Sequence, residues 1–305
     1  RFLSPLNTAE RGMTRAWQDS LMKLAQANAN ANLTSAEYTQ PNTRDMHEIS
    51  EKLNFDFRGL GSKDIVYDSG SGLGIAGLQI AKYTGAKVIS VNKQNFWGGL
   101  RSSLLNSPLA SNFSFEKRGN TIALKFNSVI DRDSMARVAA ALGYDWKTFA
   151  HFLSDTKGNR KRMDKAARVF LSELKKLFEE ERFVYVADYS EVALMRLSGV
   201  VTFFMDVWGA YPYSPARLEL LELTYASLAP GHQARIYIPG QTSSVVKKGR
   251  VETDLLDFLH EWKPTIFSRE EADSGDILVI NKIEGVDELN IPLKVKKREV
   301  RGVSR

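Results

Sequence analysis

The sequence predicts an α/β fold built on a mostly parallel sheet, and three observations predict it. Residues 64–92 read as strand, glycine turn, helix and strand. Ile65, Val66 and Tyr67 form a short apolar run, Gly70, Gly72 and Gly74 follow it, and residues 87–91 make a second run. Apolar runs at 183–187, 200–205 and 234–238 then alternate with helical patterns, as strands joined by crossover helices do. Two last runs, 276–281 and 289–296, have no helix between them and predict a closing antiparallel hairpin.

Taken in order, the chain starts with a helical segment, residues 1–63. Thr8 caps a helix in which Met13, Ala16, Trp17, Leu21 and Leu24 recur at helical spacing. A second helix is expected over 43–53, with Met46, Ile49 and Leu53 on one side. The main unit comprises 64–95 and 183–296. Its first helix has Ala76, Leu78, Ile80 and Ala81 on its apolar face and stops near Gly85. Residues 96–182 separate the second strand from the third and far exceed an ordinary connection. They predict an inserted α-rich subdomain that acts as a substrate lid. It has a hairpin at 112–126 turning on Arg118, Gly119 and Asn120, and helices at 131–142, 146–153 and 160–178. Downstream, a helix at 215–228 breaks at Ala229, Pro230 and Gly231, and another covers 253–262. A basic tail, 297–305, follows.

Composition excludes several function classes. At 305 residues the chain can bury a sizeable core, and 43% apolar with 26% charged residues is ordinary for a globular protein. There is no cysteine, which removes disulfides, thiolate metal sites and a cysteine nucleophile. His47, His151, His232 and His260 sit on separate elements without ligand spacing, so no metal site is expected. No apolar run could span a bilayer, and no leader is visible although the chain begins at Arg1; a cytoplasmic location is the expectation. The formal charge is +6. Much of it is concentrated at Lys157, Arg160, Lys161, Arg162, Lys165 and Arg168, and again near the carboxyl end. Such runs suit anionic partners, although a solvated helix face is the plainer reading.

The glycine turn admits two registers. Gly72, Gly74 and Gly77 match G-x-G-x-x-G, which suits a dinucleotide. Read earlier, Asp68-Ser-Gly70-Ser-Gly72-Leu-Gly74 resembles the first motif of class I S-adenosylmethionine-dependent methyltransferases, whose turn lies along the methionine part of the cofactor. Two later stretches extend the resemblance. Asp188 and Tyr189 follow the third strand, where the family keeps an acidic residue for the adenine amino group. Leu228-Ala-Pro-Gly-His232 is similar to the family's turn before its fifth strand, with His232 replacing a glycine. The resemblance covers 64–92 and 183–295 and implies a Rossmann-like sheet, a soluble methyltransferase and S-adenosylmethionine as cofactor. It further implies cofactor contacts at Asp68, Gly70, Gly72, Gly74, Asn92, Asp188, Tyr189 and Asp206.

One position departs from the family. Where an Asp or Glu grips both ribose hydroxyls, this chain has Asn92, followed by Lys93; an amide keeps one acceptor oxygen and loses the charge. An inactive cofactor-binding relative and an NADP-dependent oxidoreductase therefore stay open as alternatives. After the fourth strand, Asp206-Val-Trp-Gly-Ala-Tyr-Pro-Tyr213 lacks the Asn/Asp-Pro-Pro-aromatic motif of base amino methyltransferases. Asp206, Tyr211 and Tyr213 are the candidates for lining or orienting the acceptor, with no catalyst assigned. The expected acceptor is a small or lipid-like, anionic molecule, and nucleic acid is the less favoured partner.

Overall fold

The computed structural model describes residues 44–128, 130–144, 154–155, 160–214, 216–240, 245–248 and 251–292. In chain order its helices are α1 (Met46–Leu53), α2 (Ile75–Thr84), α3 (Gly98–Asn106), α4 (Arg132–Ala141), α5 (Arg160–Glu179), α6 (Ser190–Leu194), α7 (Arg217–Ser227) and α8 (Leu255–Trp262). The strands are β1 (Ile65–Ser69), β2 (Lys87–Asn92), β3 (Phe113–Arg118), β4 (Thr121–Phe126), β5 (Ser154–Asp155), β6 (Phe183–Ala187), β7 (Val201–Val207), β8 (Leu228–Pro239), β9 (Val245–Lys248), β10 (Val251–Asp254), β11 (Phe267–Ala272) and β12 (Gly275–Asn281).

Seven strands form the main sheet in the order β11-β12-β8-β7-β1-β2-β6. β6, β2, β1, β7 and β8 run parallel, while β12 adds antiparallel to β8 and β11 to β12. The parallel strands are buried on both faces, which explains their continuous apolar runs. Successive residues feed opposite layers. Val66, Val88 and Phe203 join the apolar cluster under α2, whereas Tyr67, Ile89 and Phe204 join the one under α6, α7 and α8.

Helix α2 lies between the sheet and an outer layer, so Ile75, Ala76, Leu78, Ile80 and Ala81 are all buried. The outer layer includes the described part of the segment 96–182. Phe113, Leu124, Met135, Met163 and Phe170 share one apolar cluster with Val66, Leu78 and Val88. Polar ties follow the flank of α2. Gln79 Nε2 and the Tyr83 hydroxyl donate to Ala141 O at 3.2 and 3.3 Å, and Lys82 donates to Leu142 O while pairing with Glu173 at 2.7 Å. The described part of this segment thus packs along the helix's side.

Several expected elements fall elsewhere. Residues 289–292 are irregular, and β12 pairs with β11, because the two-residue turn at Asp273 and Ser274 already closes the hairpin. Residues 293–305, the first helix near Thr8 and the helix at 146–153 lie outside the described residues. The strand expected at 234–238 runs from Leu228, taking in Ala229, Pro230 and Gly231, and shifts register between Val201 and Phe203. Thr253 belongs to β10; α8 begins later, where Asp254 caps it by accepting from Leu256 N at 2.8 Å.

Tight packing of α2 on the sheet yields a stability prediction. A Cβ on Gly77 would lie 3.1 Å from Val88 Cγ1, 3.2 Å from the Phe183 ring and still closer to Ser90 Oγ. Gly77→Ala should therefore destabilise the chain by about 1–3 kcal/mol in urea unfolding, despite alanine's better helix propensity. Unchanged or raised stability would contradict this packing.

Candidate active site

The carboxyl ends of β7, β1, β2 and β6 stand side by side, and nearly every residue singled out from the sequence lies there. Strand β1 delivers Asp68 and then a turn in which Gly70, Gly72 and Gly74 have φ of 63°, 58° and 70°. Only glycine adopts such angles freely. At Gly70 the need is also steric, since a Cβ would land on Gly209 and sit 2.9 Å from Ala210 N. Gly74 serves the packing below: its Cβ would come 2.8 Å from the Phe183 ring. Gly74 is also the residue preceding α2 and makes no side-chain cap, so the helix's first N–H groups face the turn.

Neighbouring strand ends hold the turn in place. Ser71 N donates to Val91 O at 2.9 Å, and Trp97 Nε1 donates to Leu73 O at 2.8 Å. The Tyr185 hydroxyl reaches both Gly72 O at 2.5 Å and Gln94 O at 3.0 Å, joining the turn to the segment after β2. Against this tight frame one group stands out. The Ser71 hydroxyl is buried and has no hydrogen-bond partner among the described residues. A buried hydroxyl without a partner costs about 1–3 kcal/mol, so the turn carries an unfilled polar position that a bound ligand can satisfy.

Asn92 and Asp188 meet at the next two strand ends, where Asp188 N donates to Asn92 O at 3.1 Å. The Asn92 amide donates to Gln94 O at 3.3 Å, and Asp188 accepts from Tyr189 N at 2.8 Å. The Tyr189 ring is 46% exposed, and Lys93 Nζ lies 5.4 Å from its centroid. A flat ligand would have to share that ring with the ammonium.

Asp206 is fully buried and uses both oxygens on backbone, accepting from Gly209 N at 2.8 Å and Tyr211 N at 2.9 Å. By strand alternation it faces the α6 side, while Asp68 faces the α2 side. Tyr211 packs into the apolar cluster of the α6 side, and Tyr213 ends the same short turn. Of these three candidates, Asp206 shapes the loop after β7. The residue that loop presents to solvent is Trp208, 36% exposed with φ of 56°. A bulky side chain in this region costs about 1–3 kcal/mol, and Arg44 holds the strand end beside it by donating to Val207 O at 3.0 Å.

Sequence reasoning passed over Ser71, Tyr185 and Gly209. Only Gly209 left a signal, a glycine close behind a strand end.

Burial sets the electrostatics. It pushes the Asp68 carboxyl up to about 7, opposed by a bond from Ser90 Oγ at 3.1 Å and reinforced by the charge of Asp206. Burial likewise raises Asp206 to about 6, against the loop's N–H donors.

No protein-family model and no curated protein sequence matches the chain. Solved structures do. A Haemonchus contortus phosphoethanolamine N-methyltransferase 2, solved with phosphomonomethylethanolamine and S-adenosylhomocysteine, is 13% identical over 74% of this chain at a TM-score of 0.35. The match spans only 38% of that protein's length. An rRNA methylase from Streptococcus thermophilus is 11% identical over 79% of this chain and 98% of its own, at a TM-score of 0.34. A putative S-adenosyl-L-methionine-dependent methyltransferase from Methanococcus maripaludis is 9% identical over 93% and 98%, at 0.35. The strand order, the glycine turn at the end of β1 and the antiparallel closing hairpin make the fold a Rossmann-like α/β sheet. Its chemistry is read from its own residues.

The raised carboxyls predict a pH dependence. Both hold protons more readily folded than unfolded, so the contribution of this pair to stability falls as pH climbs from about 4 through about 7 and then levels off. Asp68→Asn should remove its share. The variant's advantage should grow across that window to on the order of 2–4 kcal/mol, read by denaturant unfolding at each pH. Parallel wild-type and variant profiles would contradict the burial argument.

Proposed function

We propose that the chain is an S-adenosylmethionine-dependent methyltransferase acting on a small or lipid-like anionic acceptor. The observation that carries this reading is the buried, unpartnered Ser71 hydroxyl inside a glycine turn, at the point where four parallel strands end together. Open α/β sheets bind their ligands in that crevice. When bound, the cofactor supplies an electrophilic methyl group on a sulfonium centre. The turn from Asp68 to Gly74 would hold its methionine part, Asn92 the ribose, and Asp188 with the Tyr189 ring the adenine. Asp68 and Asp206, once ionised, favour a cation nearby. Asp206 orders the loop that carries Trp208 to the mouth. Methyl transfer depends mainly on positioning and exclusion of water, so no dedicated base is assigned. Val207, Trp208 and Gly209 follow Asp206 where an amine motif would carry Pro-Pro-aromatic, which supports an acceptor other than a nucleobase amine.

A second reading has its own support. The Asn92 amide is turned to Gln94 O, and Lys93 lies over Tyr189. Both features would weaken a nucleoside grip and suit a cofactor-binding relative without turnover. Methyl-labelled S-adenosylmethionine offered with metabolite, lipid and nucleic-acid pools separates the two. Label should appear in an anionic small-molecule or lipid fraction. Label confined to nucleic acid would refute the acceptor class, and no label despite cofactor binding would support the second reading.

A further inference from the structure

Helix α5 places its charges against its own stability. Arg160, Lys161, Arg162, Lys165 and Arg168 occupy its first turns with a single carboxylate, Asp164, among them. The amino end of a helix is its positive end and disfavours cations. Lys161 and Lys165 are also a like-charge pair four residues apart, a further local cost. Neither lysine has a carboxylate partner among the described residues. The same helix does use ion pairs further along, where Lys175 meets Glu179 at 3.5 Å and Lys176 meets Glu180 at 3.8 Å. A merely solvated face would not need this concentration.

Two of the remaining basic residues lie against aromatic rings. Arg160 lies 4.9 Å from the Phe115 ring centroid and Arg168 5.9 Å from that of Phe113, both rings on strand β3. Arg168 is further oriented by Asp164, at 2.7 Å from its Nε. Lys161 and Lys165 project from the helix face opposite buried Met163, Ala167 and Phe170, with Arg168 on the flank beside them. They form a ridge of cations about 6 Å apart.

We propose that this ridge is a docking surface for the phosphate backbone of a nucleic acid. A row of cations, one of them an arginine lying against an aromatic ring, complements a row of phosphates. An anionic membrane is the poorer match. An interfacial helix must bury its apolar face in lipid, and the apolar face of α5, from Met163 to Phe178, is already buried in the protein core. The ridge residues also stand about 15–26 Å along the helix from Phe178, whose ring packs on Trp97 and Phe183 at the sheet. Docking is therefore independent of the methyl-transfer reading: it states where a polyanion is held, and it can fail or hold without cofactor.

Fluorescence anisotropy with a labelled mixed-sequence single-stranded RNA, without cofactor and over a range of salt, tests it. Wild type should bind with strong salt dependence. K161A/K165A should weaken binding about 10-fold or more at 0.1 M salt and lower the slope of log K against log salt by about 1.4. K175A/K176A, on the same helix, should bind like wild type, and thermal stability not lower than wild type in K161A/K165A, with cooperative unfolding in both variants, would exclude misfolding. Equal binding by K161A/K165A, or no RNA binding by wild type, would overturn the proposal. So would binding to phosphatidylserine vesicles without binding to RNA.

Discussion

The backbone of the turn after β1 rests directly on the backbone of the loop after β7, and the rest of the site depends on that contact. It exists because neither Gly70 nor Gly209 has a side chain; a Cβ on Gly209 would lie 2.8 Å from Asp206 Oδ1 and against the Ser69 carbonyl. Asp206 completes the arrangement by accepting from Gly209 N and Tyr211 N. One pair of glycines therefore fixes where the β1 turn points, where α2 begins and where Trp208 emerges. Close approach of two backbones is a use of glycine distinct from a positive φ, and both occur within one site.

Burial of the carboxyls follows from the same geometry. Asp68 and Asp206 lie in parallel strands covered on both faces, so water cannot solvate their charges. Asp68 is instead given one donor, Ser90 Oγ, and Asp206 the loop N–H groups. These soften the cost of ionisation without removing it. A cation seated on the turn would remove more of it, which couples ligand charge to the stability of the strand ends.

The parallel sheet was legible in the sequence because fully buried strands leave continuous apolar runs, as at Phe183–Ala187 and Val201–Val207. The closing hairpin was legible in kind but not in register. β11 alternates Arg269, Glu270 and Glu271 on an exposed edge and so carries almost no apolar signal, whereas Leu289 and Ile291 look strand-like yet are buried in irregular chain. Helix α3 escaped notice because Gly98 and Gly99 open it. In the site, the glycines and acidic residues were readable by type. Tyr185 was not: its hydroxyl bridges two loops far apart in sequence, a relation that only the sheet order creates. Ser71 could not be read either, since an unmet hydrogen bond is a property of burial.

Titration calorimetry of the intact chain with S-adenosylhomocysteine, run beside NADP, is the most direct measurement of the central claim. Saturable one-site binding of S-adenosylhomocysteine with no NADP heat is the result expected from the register of the turn and from the unfilled position at Ser71. Binding of NADP alone, or of neither compound, would contradict it.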